Sequence, residues 1–209
     1  FARVNYDYNY RYMVSLVARY DGISKLSDNR WGFFPGISAG WNVHEEAFFK
    51  DSKFAEVVSL IKPRIGYGLN GNVNGIGNFD VYGKYGSVGA YNGNLGYLNT
   101  GVVNSKLRWE KSHTFELGLD LGFFNNRIHM IMDYYDRTTS DLLTDVNLPE
   151  YTGFPSFKTN LGTISNRGFE LEAKVNLLTR KDWSWDVTAN TSFVKNMVKK
   201  LPFNGNVNN

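Results

Sequence analysis

Apolar and polar residues alternate one by one along this chain, in run after run, and that rhythm leaves few folds open. A β-strand sends successive side chains to opposite faces, so residues i, i+2 and i+4 share one surface. A helix that crosses a bilayer needs about 20 consecutive apolar residues, and no segment approaches that. The chain must therefore be built from strands that each carry one apolar and one polar face.

Ala2, Val4, Tyr6 and Tyr8 alternate with Arg3, Asn5 and Asp7. A tight turn near residues 8–10 leads to Tyr12, Val14, Leu16, Ala18 and Tyr20, opposed by Arg11, Ser15 and Arg19, with Met13 and Val17 out of pattern. After a connection over 21–35, Ile37, Ala39, Trp41 and Val43 form a third run. Residues 44–59 read as a short helix with Phe48, Phe49, Ala55 and Val58 on its apolar side. The fourth run sets Ile61, Pro63, Ile65, Tyr67 and Leu69 against Lys62, Arg64, Gly66, Gly68 and Asn70. Pro63 donates no ladder hydrogen bond and belongs near the strand start.

A long Gly/Asn/Tyr-rich stretch, 71–111, precedes the cleanest run, in which Phe115, Leu117, Leu119, Leu121 and Phe123 oppose Thr114, Glu116, Gly118, Asp120 and Gly122. Phe124-Asn125-Asn126-Arg127 makes a short turn into Ile128, Met130, Met132 and Tyr134. Beyond a loop around 145–162, Phe169, Leu171, Ala173, Val175 and Leu177 oppose Glu170, Glu172, Lys174 and Asn176. A turn at 179–182 gives the last run, Trp183, Trp185, Val187, Ala189 and Phe193. The sum is eight strands, joined by short turns near 9, 125 and 180 and long connections near 28, 90 and 150, with 44–59 the exception on the short side.

Alternation alone fits both a soluble sandwich, with the apolar face as core, and a membrane barrel, with that face toward lipid. Three details favour the barrel. The polar face mixes charges with glycine, as a lumen does. Tyr6, Tyr8, Phe123, Trp183 and Trp185 gather beside the short turns, like an interfacial aromatic girdle. The contrast between short and long connections is the outer-membrane pattern. The mean hydropathy of −0.36 fits this class, because only every second strand residue meets lipid. No secretory leader is visible. Phe1 starts inside an alternating run and the chain closes on a polar tail, Asn204 to Asn209, so both ends read as cut from a longer polypeptide.

Composition narrows the chemistry. With no Cys, disulfides and thiolate metal sites are excluded. A net charge of +3 without basic runs gives no footprint for nucleic acid. Gly66-x-Gly68-x-x-Gly71 matches a dinucleotide fingerprint in letters, but Asn72-Val73-Asn74-Gly75 starts no helix, so close packing at a strand end is the better reading. Glu170 and Glu172 could be paired catalytic carboxylates; as i, i+2 neighbours beside Lys174 they read as a solvated wall. His44, His113 and His129 have no ligand spacing, so no metal, cofactor or catalytic residue is assigned. Arg3, Arg11, Arg19, Lys62, Arg64, Glu116, Asp120, Glu170, Glu172 and Lys174 are assigned to the barrel interior. Tyr82, Tyr85, Tyr91, Tyr97 and Trp109 are the candidate substrate-binding aromatics of a long loop, since aromatic faces among amides suit sugars or peptides.

Ordered motifs then carry a resemblance. Arg19-Tyr20-Asp21-Gly22, Arg30-Trp31-Gly32-Phe33-Phe34-Pro35 and Ser38-Ala39-Gly40-Trp41 are similar to the SusC/RagA-like TonB-dependent transporters of Bacteroidetes. So are Leu60 to Gly68, Leu107-Arg108-Trp109-Glu110-Lys111, Asp133-Tyr134-Tyr135 and Asn160 through Glu170. Asn104-Ser105 departs from the family's usual Asn-Pro, and Pro63 from its usual Leu-Lys-x-Arg strand.

The resemblance implies an all-β fold. Residues 1–209 would be part of an antiparallel transmembrane barrel domain, about eight strands of a larger 22-stranded, plugged barrel. It also implies import of an oligosaccharide or peptide, a SusD-like surface lipoprotein, and energy from TonB–ExbB–ExbD through a plug that this chain does not contain. The alternatives are a complete eight-stranded barrel acting as adhesin or pore, and a soluble carbohydrate-binding sandwich.

Overall fold

The structure is a computed structural model that describes residues 1–201; the polar tail read from the sequence lies outside them. Its centre is one antiparallel sheet of eight strands. They are β1 (Ala2–Tyr8), β2 (Tyr12–Gly22), β3 (Trp31–Trp41), β4 (Val58–Asn72), β7 (Glu110–Phe123), β8 (Ile128–Ser140), β11 (Thr163–Arg180) and β12 (Trp183–Lys200). The remaining strands make two hairpins, β5 (Tyr85–Tyr91) with β6 (Asn94–Asn99) and β9 (Leu143–Asn147) with β10 (Ser156–Asn160). In the large sheet the strands lie side by side in the order β1-β2-β3-β4-β7-β8-β11-β12, and among the described residues the sheet does not close. This overturns the complete eight-stranded barrel. Among the described residues no second sheet packs on the large sheet's apolar face, which likewise overturns the sandwich.

Register sorts the two faces. Leu16 stands opposite Val4 and Ile37, Tyr67 opposite Ile37 and Phe115, and Tyr134 opposite Leu117 and Phe169. The apolar rows therefore run unbroken across the wall and stay exposed, as at Leu16, Ile37, Ile65 and Leu117. A water-soluble protein rarely leaves so continuous an apolar surface uncovered. Met13 and Val17, out of pattern in the sequence, sit on the polar face as the alternation requires: Met13 borders Gly40, and Val17 lines the same trough as Arg3 and Arg19.

The short turns are built by left-handed backbone. Asn9 and Tyr10 have φ of 53° and 57°, and Phe124, Asn125 and Asn126 have 54°, 57° and 60°. Asparagine tolerates this region better than most residues. Arg127 ties the second turn to its neighbour, donating to the Asn176 and Leu177 carbonyls at 2.9 and 2.8 Å.

Several boundaries differ from the sequence reading. β3 begins at Trp31, because Trp31, Phe33 and Pro35 continue the outward row while Phe34 turns inward. Pro63 lies well inside β4, not at its start. The ladder from β4 to β3 begins only at Arg64, so no β3 partner loses a bond at the proline. Residues 44–59 form not one helix but a 3-10 turn at Val43–Glu45, the single turn α1 (Ala47–Lys50) and a second 3-10 turn at Lys53–Glu56, with Phe48 and Phe54 exposed. The long stretch at 71–111 holds the β5–β6 hairpin, and the β9–β10 hairpin begins at Leu143, before the loop read at 145–162.

Candidate functional site

The polar face is a charged, water-accessible wall. Arg64 rises from β4 and donates through Nη2 to Asp120 of β7 at 2.7 Å and to Asp133 of β8 at 3.0 Å. Its guanidinium lies over Gly118, where a Cβ would collide with it and with Asp133. Glycine there makes room for the cation. Arg64, Lys62, Glu116 and Asp133 line an open trough of about 570 Å³, and Arg3, Arg19, Glu116 and Arg137 line a second of about 470 Å³ further along the wall. Arg19 pairs with Asp21 at 2.7 Å and stands over the Phe34 ring. Glu116, Asp133 and Glu170 border a third.

Glu170, Glu172 and Lys174 occupy successive inward positions of β11, level with Asp133, Ile131 and His129 of β8. Arg11 departs from the others. It lies in the turn before β2 and pairs with Glu46 at 3.3 Å, at the rim rather than along the wall. Asp133, Arg137 and Tyr135, whose ring lies against Gly168, belong to this face as much as the assigned residues. Their inward phase was visible, but their closeness to Arg64 and Glu116 depends on cross-strand register.

At the short-turn rim, Tyr8, Tyr12 and Trp41 form a stacked ladder with centroids 6.5 and 6.2 Å apart. Glu46 anchors it. Tyr12 Oη donates to Glu46 Oε1 at 2.6 Å and Trp41 Nε1 to the same oxygen at 3.1 Å. Those two donors, Tyr12 first, hold the Glu46 carboxyl below its ordinary range.

At the long-loop end the three loops are knitted together. Leu26, Phe34, Ile76, Val81, Leu107 and Trp109 form the buried apolar cluster of the described residues. Phe34 meets Trp109 edge-on with centroids 5.3 Å apart, a favoured aromatic geometry. The Phe34 ring lies over Gly71 and Gly32, where any Cβ would strike it. The motif at 107–110 is the knot. Leu107 is buried, Arg108 pairs with Asp141 at 2.7 Å, and Trp109 Nε1 donates to the Arg30 carbonyl at 3.2 Å. Glu110 accepts from the Leu143 N–H at 2.8 Å and from Asn72 at 2.6 Å. Buried Asn160 uses both ends of its amide, donating to the Arg108 and Asp141 carbonyls and accepting from the Arg108 N–H. Asp80 completes the tie. Burial pushes its carboxyl up, but Lys84 at 2.7 Å and the Gly77 N–H outweigh that and hold it below its usual value.

The loop aromatics divide. Tyr82, Tyr85, Tyr91 and Tyr97 are all exposed. Tyr85 and Ser87 share a hairpin face, and Tyr97 stands opposite Ser87, so Tyr85 and Tyr97 lie together; the irregularity between Ser87 and Gly89 leaves Tyr91 on the other face. Trp109 is only 9% exposed and serves the loop cluster instead. Among the described residues no group of His, Asp and Glu could hold a metal ion. Gly66, Gly68 and Gly71 lie within β4, so no helix follows to receive a pyrophosphate.

The family model for the TonB dependent receptor-like β-barrel matches residues 1–209. The chain is 38% identical over 206 residues to TonB-dependent receptor P3 of Formosa agariphila, covering 97% of this chain and 20% of that protein. It is 37% identical over 210 residues to TonB-dependent receptor SusC of Bacteroides thetaiotaomicron, covering 96% and 20%. Among solved structures it superposes on the RagAB peptide importer in its closed-closed state with a TM-score of 0.87 at 30% identity, covering 96% of this chain and 22% of that one. The open-open state gives 0.85 at the same identity and coverage. The chain thus spans about a fifth of the length of these relatives. An open wall with one apolar and one charged face, short turns at one rim and knitted loops at the other, is a sector of a large barrel, and the chain belongs to the TonB dependent receptor-like β-barrel family.

Proposed function

We propose that the protein carrying this chain imports an oligosaccharide or peptide across the outer membrane by TonB-dependent transport, with this chain supplying part of the wall and its long loops. The observation that carries the reading is the two-faced wall: lipid-compatible rows outside, and troughs lined by Arg64, Lys62, Glu116 and Asp133 inside. Such a wall has use where water and solute pass on one side and lipid lies on the other. SusC and the RagAB peptide importer among its relatives support the pairing with a SusD-like lipoprotein, and the family supports energisation by TonB–ExbB–ExbD through a plug outside this chain. The lumen residues Arg3, Arg19, Lys62, Arg64, Glu116, Asp120, Glu170, Glu172 and Lys174 would guide solute or seat the plug. Tyr82, Tyr85, Tyr91 and Tyr97 would meet solute or lid at the long-loop rim, with Trp109 holding their loop in place.

The test is uptake by cells lacking the whole gene, complemented with wild type or with Tyr85→Ala/Tyr97→Ala in the full-length protein. Loss of two stacking platforms, each worth about 0.5–1.5 kcal/mol, should slow uptake of the transported glycan or peptide roughly tenfold while leaving barrel yield unchanged. Deletion cells that import every glycan and peptide at the wild-type rate would defeat the transport reading.

A further inference from the structure

The outward face of the wall changes character near its long-loop end. Across most of the sheet the outward rows are aliphatic or aromatic. On β2 and β3 they finish in aromatics: Tyr20 and Trp31 stack with centroids 5.2 Å apart and planes 1° from parallel, and Phe33 stands beside them, opposite Tyr20. On β11 and β12 they turn cationic one step short of their ends, with Ser165 and Met197 as the next outward pair. Arg167 follows Phe169 outward on β11, and Lys195 stands directly opposite it on β12, following Phe193. Lys199 joins them, its Nζ donating at 3.2 Å to Thr138 Oγ1 on the outward face of β8. One anion offsets the three: Asp136, opposite Arg167, accepts from its Nε at 2.7 Å. Among the described residues Lys195 has no ion-pair partner, and both lysines are exposed.

Exposed cations on a lipid-facing wall are costly in hydrocarbon and favourable where anionic headgroups lie. Phe169, Phe193 and Tyr134 are exposed one strand step below, about 7 Å nearer mid-wall. An apolar floor under a cationic rim is the shape complementary to a lipid whose acyl chains lie on the aromatics and whose phosphate meets the charges.

We propose that Arg167, Lys195 and Lys199 bind the phosphate of an anionic lipid in the leaflet that surrounds the long-loop end. The proposal rests on the membrane-barrel reading above. Its position fixes the chemistry: a phosphate group at headgroup depth, held by a guanidinium and two ammonium groups, with Asp136 orienting Arg167 through Nε and leaving its terminal nitrogens for the ligand. The β2–β3 sector, separated from it by β4, β7 and β8 and finishing in Tyr20 and Trp31, has no equivalent among the described residues. The bound lipid would therefore be localised to one sector of the circumference.

The test uses the full-length protein in phosphatidylcholine nanodiscs doped with bisphosphorylated lipid A or with its dephosphorylated form, and reads lipid retention by native mass spectrometry. The first variant is Lys195→Gln/Lys199→Gln, which keeps the Arg167–Asp136 pair. The second is Arg167→Gln/Asp136→Asn, which removes the pair together. The control is Arg180→Gln/Lys181→Gln at the opposite rim. Each surface cation contributes about fivefold to headgroup affinity, so the lysine variant should lose roughly 25-fold in retention of the phosphorylated lipid, and the control should lose none. Equal retention of the two lipid forms, or unchanged retention in the lysine variant, overturns the proposal. So does displacement of the lipid by millimolar inorganic phosphate with no dependence on acyl chains, which would mark a free-anion site. Failure of the wild type to insert into nanodiscs would instead bring down the membrane reading on which the proposal rests.

Discussion

Arg64 shows how much one side chain on this wall depends on its neighbours. Its side chain is 37% exposed and shares two carboxylates, Asp120 and Asp133, that stand on adjacent strands, with Gly118 opposite Asp133 leaving room for the guanidinium. Water screens the pairs, so each is worth little by itself. Removing the cation, however, leaves two anions facing one another. Arg64→Met should cost about 1 kcal/mol, and Arg64→Met/Asp120→Asn should recover part of that. The check is a double-mutant cycle on thermal unfolding of the full-length barrel in detergent; strictly additive losses would mean the cluster is not a unit. Phe34 makes the complementary point among apolar groups. Its inward phase breaks the polar face of β3, which looks like an error of pattern until the loops are folded over it.

At the scale of elements, the collar of Tyr8, Tyr12, Trp41 and Glu46 predicts a pH dependence. The Glu46 carboxyl titrates below its unfolded value because Tyr12 and Trp41 donate to its charged form. A depressed carboxylate contributes stability that is fully present above its unfolded value and is lost as pH falls through its folded one. Acidification should therefore loosen the 42–57 connection and change Trp41 emission. Glu46→Gln should flatten that transition, and an unchanged acid transition in this variant would sink the assignment. The strands themselves were legible because alternation and turn residues such as Asn125-Asn126 are local signals. The start of β3 was not, because Trp31 and Phe34 take their sides from Tyr20 and Trp109, residues distant in sequence. The hairpin of β5 and β6 was hidden in a Gly/Asn-rich composition that reads as loop. Of the candidate site, the inward phase of Lys62, Arg64, Glu170 and Glu172 was readable; the grouping of Arg64 with Asp133 waited on register. The retention of Arg11 at the rim by Glu46 likewise depends on a contact 35 residues away.

For the whole molecule, the two unpaired edges matter most. β1 pairs only with β2, and β12 only with β11, among the described residues. Both carry open rows of N–H and C=O groups, which lipid cannot satisfy. The segment 1–201 produced alone should therefore aggregate or remain unfolded in detergent. The same residues within the intact polypeptide should give a heat-modifiable band on electrophoresis. A heat-modifiable monomer from the segment alone would show that it closes on itself.

The buried apolar cluster under the loops has a thermodynamic consequence. In the outer-membrane setting proposed above, the wall's own apolar side chains would face an oily surround whether detergent or lipid covers them, so little of that area would change its solvent when the tertiary structure is lost. Leu26, Phe34, Ile76, Val81, Leu107 and Trp109 are different, because they exchange water for one another. The heat-capacity increment of unfolding, which tracks apolar area newly wetted, is therefore concentrated in the cap at one end of this sector, and the cap responds to urea and cold as a soluble protein does while the wall beneath it does not.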